Sequence, residues 1–223
     1  MTFAQLPLSL PHRQTFGRDD FLVAPSNEEA VRFIDLFPNW PSHAVLLCGE
    51  QGSGKTHLAH LFSSVFVKAT ELPIDFETIR GNRLVIEDID EQIDETALFH
   101  LFNWTKERQI YVLFTARKLP IFHLPDLKSR MGSIPKIYIG LPDEELLFGV
   151  LSKWFYERHI SIDVAVIEYI LARAERSFAF LQNLVDLLDK LSLAERRRIT
   201  VPIVRRVLEE LTLSELDPKR KDC

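Results

Sequence analysis

Several features that mark particular classes of protein are scarce in this sequence of 223 residues. With only two cysteines, Cys48 and Cys223, it has neither a disulfide framework nor a cysteine-based metal cluster. Its first residues lack the basic segment and apolar stretch of a signal peptide, and no apolar run approaches the roughly 20 residues of a membrane span. The formal net charge of -5 gives no overall positive field that would attract nucleic acid. The composition therefore predicts a soluble, cytoplasmic protein.

Hydrophobic residues make up 46% of the chain, which is enough to bury the core of one large domain or of two unequal domains. Residues 1–20 contain prolines and show no hydrophobic period, so they predict an extended arm. Ser26 followed by Glu29 has the form of a capping box, which predicts that Ser26 caps a short helix. Pro38 is expected to close that helix.

Short apolar runs bounded by turn signals alternate with helical patterns in the next part of the chain. Such runs are typical of buried parallel strands. We predict strands at 44–48, 84–86, 111–115 and 136–139, with helices from Lys55 to about Phe66 and from Glu95 to Arg108. Strands that alternate with helices predict an α/β domain, a parallel sheet covered by helices on both faces, over residues 21–141.

The pattern changes after Leu141, where only helical spacing remains. We predict helices at 143–159, 163–173, 178–191 and 201–211. Leu181, Leu184, Val185 and Leu188 recur at helical spacing and predict the core of a small bundle. The prediction is therefore a small helical domain over 142–211, followed by a disordered charged tail over 212–223.

The strongest motif in the sequence is GEQGSGKT at residues 49–56, which matches the phosphate-binding P-loop, G-x-x-x-x-G-K-[ST]. It follows a predicted strand and opens a predicted helix, as that motif requires; a chance glycine-rich turn is the alternative. Lys55 is expected at the β- and γ-phosphates and the Thr56 hydroxyl on Mg²⁺. The predicted ligands of ATP or ADP in this loop are Gly49, Gly52, Ser53, Gly54, Lys55 and Thr56.

Two carboxylates, Glu87 and Asp88, follow the second predicted strand. Beside a P-loop, one carboxylate typically holds the metal and the other polarises the attacking water. We therefore predict Thr56, Glu87 and Asp88 at the Mg²⁺ ion, with Asp88 also catalytic. Thr115 ends the next strand, where its hydroxyl could reach the γ-phosphate or that water. A solvated corner for the acids and an ordinary strand threonine are the alternatives.

With these motifs in this order, the sequence resembles the AAA+ ATPases, and more narrowly the DnaA replication-initiator family, over about residues 15–211. Phe21, Val23 and Asn27 resemble the segment that lies near the adenine in that family. The sequence LKSR, which ends at Arg130, resembles the family's arginine-finger segment. The resemblance implies an AAA+ base domain, a helical lid and a finger at Arg130; a surface ion-pair arginine is the alternative.

The start of the chain is similar to that of a narrower group, the Hda-type regulators of alphaproteobacteria, whose short N-terminal motif binds the DNA polymerase sliding clamp. In this chain the matching residues are Gln5, Leu6, Leu8 and Leu10. An arm folded onto its own domain is the alternative. The resemblance implies that the clamp-bound protein contacts the DnaA initiator and supplies Arg130 in trans, so that DnaA hydrolyses its ATP.

Two positions depart from the family pattern. Glu87 stands where the family has an aspartate, and Ala179 stands where the lid carries a phosphate-sensing arginine, with Arg176 one turn earlier. Both changes predict a protein that binds ATP or ADP but is itself a very weak ATPase, since small displacements in a site greatly slow catalysis.

Other functions of the same fold remain open at this point. A remodelling or loader ATPase is the main alternative, and an initiator that binds single-stranded DNA is a weaker one. DnaA proteins carry a further DNA-binding domain after the lid, and this sequence continues only briefly there, so we expect no sequence-specific DNA binding. No membrane association is expected, and the family resemblance allows a homo-oligomer.

Overall fold

The computed structural model describes residues 22–195 and 197–216. Five strands form one parallel sheet: β1 Ala44–Cys48, β2 Phe66–Lys68, β3 Arg83–Glu87, β4 Tyr111–Ala116 and β5 Lys136–Tyr138. Their order across the sheet is β2-β3-β4-β1-β5. Because all the strand pairs are parallel, every strand ends at the same edge of the sheet, called here the carboxyl edge. Two short 3₁₀ helices, Ala69–Glu71 and Phe76–Thr78, lie between β2 and β3.

Helices cover both faces of this sheet, and the interior strand β1 shows why. Its five residues are all buried, and alternate side chains point to opposite faces. Helices α1 Glu28–Asp35 and α2 Lys55–Phe62 pack on the face of Val45 and Leu47. Helices α3 Glu95–Glu107 and α4 Pro125–Ser133 pack on the face of Leu46 and Cys48. The predicted α/β class with a covered parallel sheet is confirmed.

The chain divides between Pro142 and Asp143 into two compact units, called here the base domain and the helical domain. The helical domain contains α5 Glu144–Glu157, α6 Val164–Leu171, α7 Phe178–Glu195 and α8 Val201–Leu216. The four side chains that recur at helical spacing in α7 are buried in its core, as predicted. Within the described ranges, no helix has both the length and the apolar character needed to cross a membrane.

The chain between α2 and β3 corrects one prediction. Helix α2 ends at Phe62 rather than near Phe66, and Phe66 begins strand β2. Ser63 causes this change, because its hydroxyl donates to the Arg83 carbonyl (2.9 Å) and accepts the Val65 N–H (3.0 Å). A serine that binds nearby backbone competes with the helix ladder and ends it.

The first helix corrects a second prediction. Asn27, not Ser26, is the N-cap of α1, and the buried Ser26 hydroxyl has no hydrogen-bond partner among the described residues. The Asn27 side chain accepts the Ala24 N–H (2.9 Å) and donates to the Leu22 carbonyl (3.0 Å). Asn27 thus orders the turn before the helix, and the predicted capping box does not form.

Two helices, α4 and α8, also differ from the prediction. Helix α4 was not predicted, although Pro125 at its first position is a favourable helix start. Helix α8 continues to Leu216, so residues 212–216 are helical where a disordered tail was expected. Their sequence, TLSEL, contains good helix formers that extend the element. Residues 217–223 lie outside the described part of the chain.

Candidate functional site

The P-loop, residues 49–56, connects β1 to α2 at the carboxyl edge of the sheet. Gly52 (φ 77°) and Gly54 (φ 95°) adopt left-handed conformations that other residues rarely adopt. Gly54 is the N-cap of α2, and as a glycine it has no side chain with which to cap the helix. The first amides of a helix have no partner within it, so an uncapped helix start with its positive partial charge is suited to an anion.

Gly49 is needed for a different reason, which is the close approach of the segment that follows β5. A Cβ atom at this position would lie 2.5 Å from Ile139 Cγ2, 2.6 Å from the Ile139 carbonyl oxygen and 2.7 Å from Ser53 Oγ. The Gly49 N–H donates to the Ala116 carbonyl (3.1 Å). The start of the loop is therefore fixed against both β4 and the segment after β5.

We expect Gly49→Ala to destabilise the protein by about 1–3 kcal/mol, because the added methyl group meets backbone and buried atoms that cannot all move aside. Urea unfolding followed by circular dichroism measures the change. Gly132→Ala in α4 is the matched control: nothing lies within 4 Å of its added Cβ. Alanine in a helix should stabilise by up to about 1 kcal/mol. Equal unfolding midpoints for Gly49→Ala and wild type would contradict the packing argument.

The Lys55 side chain is buried against the loop that precedes it. Its ammonium donates to the carbonyl oxygens of Gly49 (2.6 Å) and Glu50 (2.8 Å). Burial lowers the pKa of Lys55, while the negative charges of Asp88 and Asp90 act in the opposite direction. The structure thus holds a cation beside the open amide end of α2, within the electrostatic reach of two carboxylates.

Thr56 and Glu87 meet across the site. The Thr56 hydroxyl donates to Glu87 Oε1 at 3.2 Å, which joins the first turn of α2 to the end of β3. Both groups supply the oxygen ligands that Mg²⁺ prefers, and Mg²⁺ is usually held by one or two protein groups together with phosphates and water. The described residues contain no cluster of three or more His, Cys, Asp or Glu suited to a metal. The pair therefore offers two oxygen ligands of the kind that Mg²⁺ prefers.

Asp88 and Thr115 are joined through the backbone. Asp88 has a left-handed conformation (φ 58°), and its N–H donates to the Thr115 hydroxyl (3.2 Å). The N–H of Ile89 donates to the Thr115 carbonyl (3.0 Å). Thr115 is buried, so its hydroxyl fixes the turn that carries Asp88. The structure brings both residues to the same edge of the sheet as the P-loop.

Arg117 and Asp90 belong to the same edge, and our sequence reasoning missed them. Asp90 accepts the Arg117 N–H (3.0 Å) and lies 3.6 Å from its Nε, while Glu91 lies 3.2 Å from the guanidinium. Their positions could have indicated them, since Asp90 lies two residues after Asp88 and Arg117 lies two residues after Thr115. Arg117 borders an open cleft of about 420 Å³ whose lining includes Gly49, Glu50, Leu119, Tyr138 and Gly140.

The segment predicted to lie near the adenine is described only in part. Phe21 lies outside the described residues, and Val23 is exposed. Asn27 is buried, with its side chain occupied by the backbone of Leu22 and Ala24. The Ser26 carbonyl accepts the N–H of Gly140, which places this segment beside the cleft. The Asn27 side chain therefore shapes this segment through its hydrogen bonds to the backbone.

Arg130 is not among the residues gathered around Lys55. Its guanidinium lies over the rings of Phe99 (5.2 Å) and Phe102 (5.9 Å) on the helical layer formed by α3 and α4. Phe102 contacts the ring of His43 (4.9 Å), which precedes β1, whereas the P-loop follows β1. Strand β1 is about 16 Å long at 3.3 Å per residue. Arg130 thus lies away from the P-loop, toward the amino-terminal side of the sheet.

Residues in the helical domain and in the N-terminal arm were also singled out from the sequence. In the helical domain, Ala179 lies in the first turn of α7, and Arg176 pairs with Glu144 at 3.1 Å. The predicted clamp-binding residues lie outside the described part of the chain; they are Gln5, Leu6, Leu8 and Leu10.

Comparisons with known proteins find relatives in sequence and in fold. A family model described as "Hda, lid domain" matches residues 144–208. An uncharacterized protein of Haemophilus influenzae is 32% identical over 184 residues, covering 72% of this chain and 79% of that protein. The chromosomal replication initiator protein DnaA of Leifsonia xyli is 25% identical over 234 residues, covering 88% of this chain and 49% of the initiator. The chain therefore spans about half the length of that initiator.

The fold has a solved counterpart. The crystal structure of domain III from the Thermotoga maritima replication initiation protein DnaA superposes with a TM-score of 0.76 at 18% identity. The match covers 87% of this chain and 96% of that domain. Identity at this level shows a shared fold, and it extends over nearly the whole of the compared domain.

Proposed function

Because this chain belongs to the DnaA-like AAA+ proteins of the Hda type, we propose that it regulates the initiation of DNA replication by stimulating ATP hydrolysis by DnaA. In this proposal it binds ATP or ADP with Mg²⁺ and acts in the cytoplasm. The arm residues Gln5, Leu6, Leu8 and Leu10 hold it at the DNA polymerase sliding clamp. Arg130 then acts on the nucleotide bound to DnaA.

The residues around the P-loop support nucleotide binding by the chain itself. The amides at the start of α2 and the Lys55 ammonium would hold the phosphates, and Thr56 and Glu87 would hold Mg²⁺. Bound Mg²⁺ neutralises phosphate charge. Asp88, held by its N–H bond to Thr115, is the candidate to orient water. With Glu87 in place of the family's aspartate, we expect the chain's own hydrolysis to be very slow.

The position of Arg130 is the observation that carries the trans mechanism. Its guanidinium stacks on the helical layer of the base domain, whereas Lys55 and Thr56 lie at the carboxyl edge of the sheet. An arginine placed in this way is available to the nucleotide of another molecule rather than to its own. In that site a guanidinium would stabilise the charge that develops on the transferring phosphoryl group.

The direct test is the rate of ATP hydrolysis by the cognate DnaA, with the clamp loaded on DNA, in the presence and absence of this protein. We expect acceleration that depends on the clamp, with slow turnover by this protein alone. If it binds nucleotide and clamp but accelerates nothing, it is a clamp-bound adaptor or a remodelling ATPase with another client. The proposed function would then be wrong.

Replacing both Leu6 and Leu8 by alanine should weaken clamp binding about 10²-fold or more, because each buried leucine contributes about 1.5–3 kcal/mol. Nucleotide affinity should be unchanged. Binding to immobilised clamp and to a fluorescent ADP analogue measures the two effects. Leu36→Ala is the matched control, since Leu36 is an exposed leucine of the base domain. Clamp binding that survives the double change would assign the arm another role, such as packing on its own domain.

A further inference from the structure

Three residues on one side of α3 face the helix that carries Arg130. Glu95, Phe99 and Phe102 are separated by four and three positions, a spacing that puts side chains on the same helical face. Leu127 and Met131 of α4 share the core of α3, so the two helices pack as one layer. We call Glu95, Phe99 and Phe102 the α3 platform.

Glu95 binds the start of α4. Its two carboxylate oxygens accept the His123 N–H at 3.0 and 2.9 Å, and one of them accepts the Leu124 N–H at 2.6 Å. Leu124 is the N-cap of α4 and provides no side-chain cap of its own. Burial acts to raise the pKa of Glu95, but the hydrogen bonds from these two amides outweigh it and lower the pKa. An ionised carboxylate from α3 therefore caps α4, where it also complements the helix dipole.

Phe99 and Phe102 support the guanidinium of Arg130. Its central carbon lies 5.2 Å from the Phe99 ring centre and 5.9 Å from that of Phe102, both within the range of a cation–π contact. Arginine has a long side chain whose rotamers cost free energy to fix, and stacking fixes them in advance. The N–H donors of a stacked guanidinium point outward in the guanidinium's own plane, where they can still bind phosphate oxygens.

We infer that Glu95 and Phe99 are positioning residues for Arg130: Glu95 fixes the helix that carries the arginine, and Phe99 fixes the plane of its guanidinium. This inference rests on the proposed function, because it assumes that Arg130 acts on a nucleotide bound to DnaA. It adds that the reactive geometry is set by side chains that do not themselves touch that nucleotide. The platform lies entirely within the base domain, so its effect does not require the helical domain to move.

Phe99→Ala, tested in the full-length protein on the clamp, should lower the maximal rate of stimulated ATP hydrolysis roughly 3- to 30-fold, the range expected for a lost cation–π contact. The concentration giving half-maximal stimulation should not change, since the partner surface is kept. Phe99→Tyr should restore the rate, because tyrosine also presents an aromatic face. In an Arg130→Ala background, Phe99→Ala should lower the rate no further, as expected for two residues that act as a unit.

Trp104→Ala is the matched control for stability. Trp104 also lies on α3, is partly buried against the same core and carries its own stacked arginine, Arg108, at 4.7 Å. Trp104→Ala should leave the maximal rate of stimulated ATP hydrolysis unchanged. Glu95→Gln keeps the shape of the cap but removes its charge. It should lower the maximal rate of stimulated ATP hydrolysis and leave this protein's own affinity for nucleotide unchanged.

The outcomes separate this inference from the proposed function. If Arg130→Ala itself leaves the stimulated rate unchanged, the proposed function is wrong. If Arg130→Ala abolishes stimulation while Phe99→Ala behaves like wild type, the positioning role is wrong and the function stands. Equal losses for Phe99→Ala and Trp104→Ala would also overturn the positioning role, because they would indicate a general loss of stability.

Discussion

Arg130→Ala is expected to lower the stimulated rate of ATP hydrolysis by DnaA about 10³- to 10⁵-fold, toward the rate of DnaA alone. The reason is electrostatic. A guanidinium placed at the γ-phosphate neutralises charge in the transition state, and alanine leaves that charge uncompensated. The measurement is single-turnover hydrolysis of ATP bound to DnaA, with the clamp and this protein in excess.

The control for this experiment comes from the same helix. Lys128 lies two residues before Arg130 on α4, is exposed and carries the same charge. Lys128→Ala therefore removes an equal charge from the same surface without removing the finger, and should change the rate only slightly. Arg130→Lys keeps the charge but loses the planar fork of donors, so it should restore only part of the rate. If both alanine variants reduce the rate equally, the surface contributes by general attraction and Arg130 is not a finger.

Lys55→Met should weaken binding of ATP or ADP about 10- to 100-fold. The Lys55 ammonium is buried beside the amide end of α2, and a hydrogen bond to a charged partner contributes about 1.5–3 kcal/mol. Isothermal titration with ADP and Mg²⁺ measures the loss. Lys68→Met, an exposed lysine at the end of β2, is the control and should bind as the wild type does.

The same substitution should not lower the stability of the nucleotide-free protein. Burial makes the pKa of Lys55 lower in the folded state than in the unfolded state, although Asp88 and Asp90 oppose this. The unfolded chain therefore holds the proton more tightly, so at neutral pH the charged form of Lys55 makes the folded state less stable than the neutral form would. That effect fades as the pH rises through the folded pKa. A midpoint of urea unfolding well below that of wild type at pH 7 would show that Lys55 has a structural role instead.

Strands β1 and β4 could be predicted closely because their signal is local. Both are buried on two faces of a parallel sheet, so nearly every residue is apolar and the run stands out from its surroundings. The P-loop could be predicted for a similar reason, since its chemistry is contained in eight consecutive residues. Thr56 and Glu87 were predicted separately at the metal, and their side chains meet at 3.2 Å.

Features that depend on distant partners could not be predicted in this way. Strand β2 has only three residues and is defined by its pairing with β3. Helix α4 has few buried apolar residues of its own and receives its cap from Glu95, about thirty residues earlier in the chain. The family resemblance pointed to Arg130, but nothing in the local sequence indicated the rings that support it.

The separation between Arg130 and the P-loop means that the base domain carries its arginine and its phosphate site on different surfaces. A contact that brings the arginine of one molecule to the phosphate site of another joins two different surfaces. Such a contact is heterologous and does not close into a two-fold dimer. Under the proposed function, each copy would therefore serve one DnaA molecule at a time, always the neighbour on its Arg130 side. A small number of clamp-bound copies could then act on a large pool of initiator only by repeated release and rebinding. The rate at which DnaA dissociates would then limit how fast the pool is converted, together with the rate at which DnaA hydrolyses its ATP.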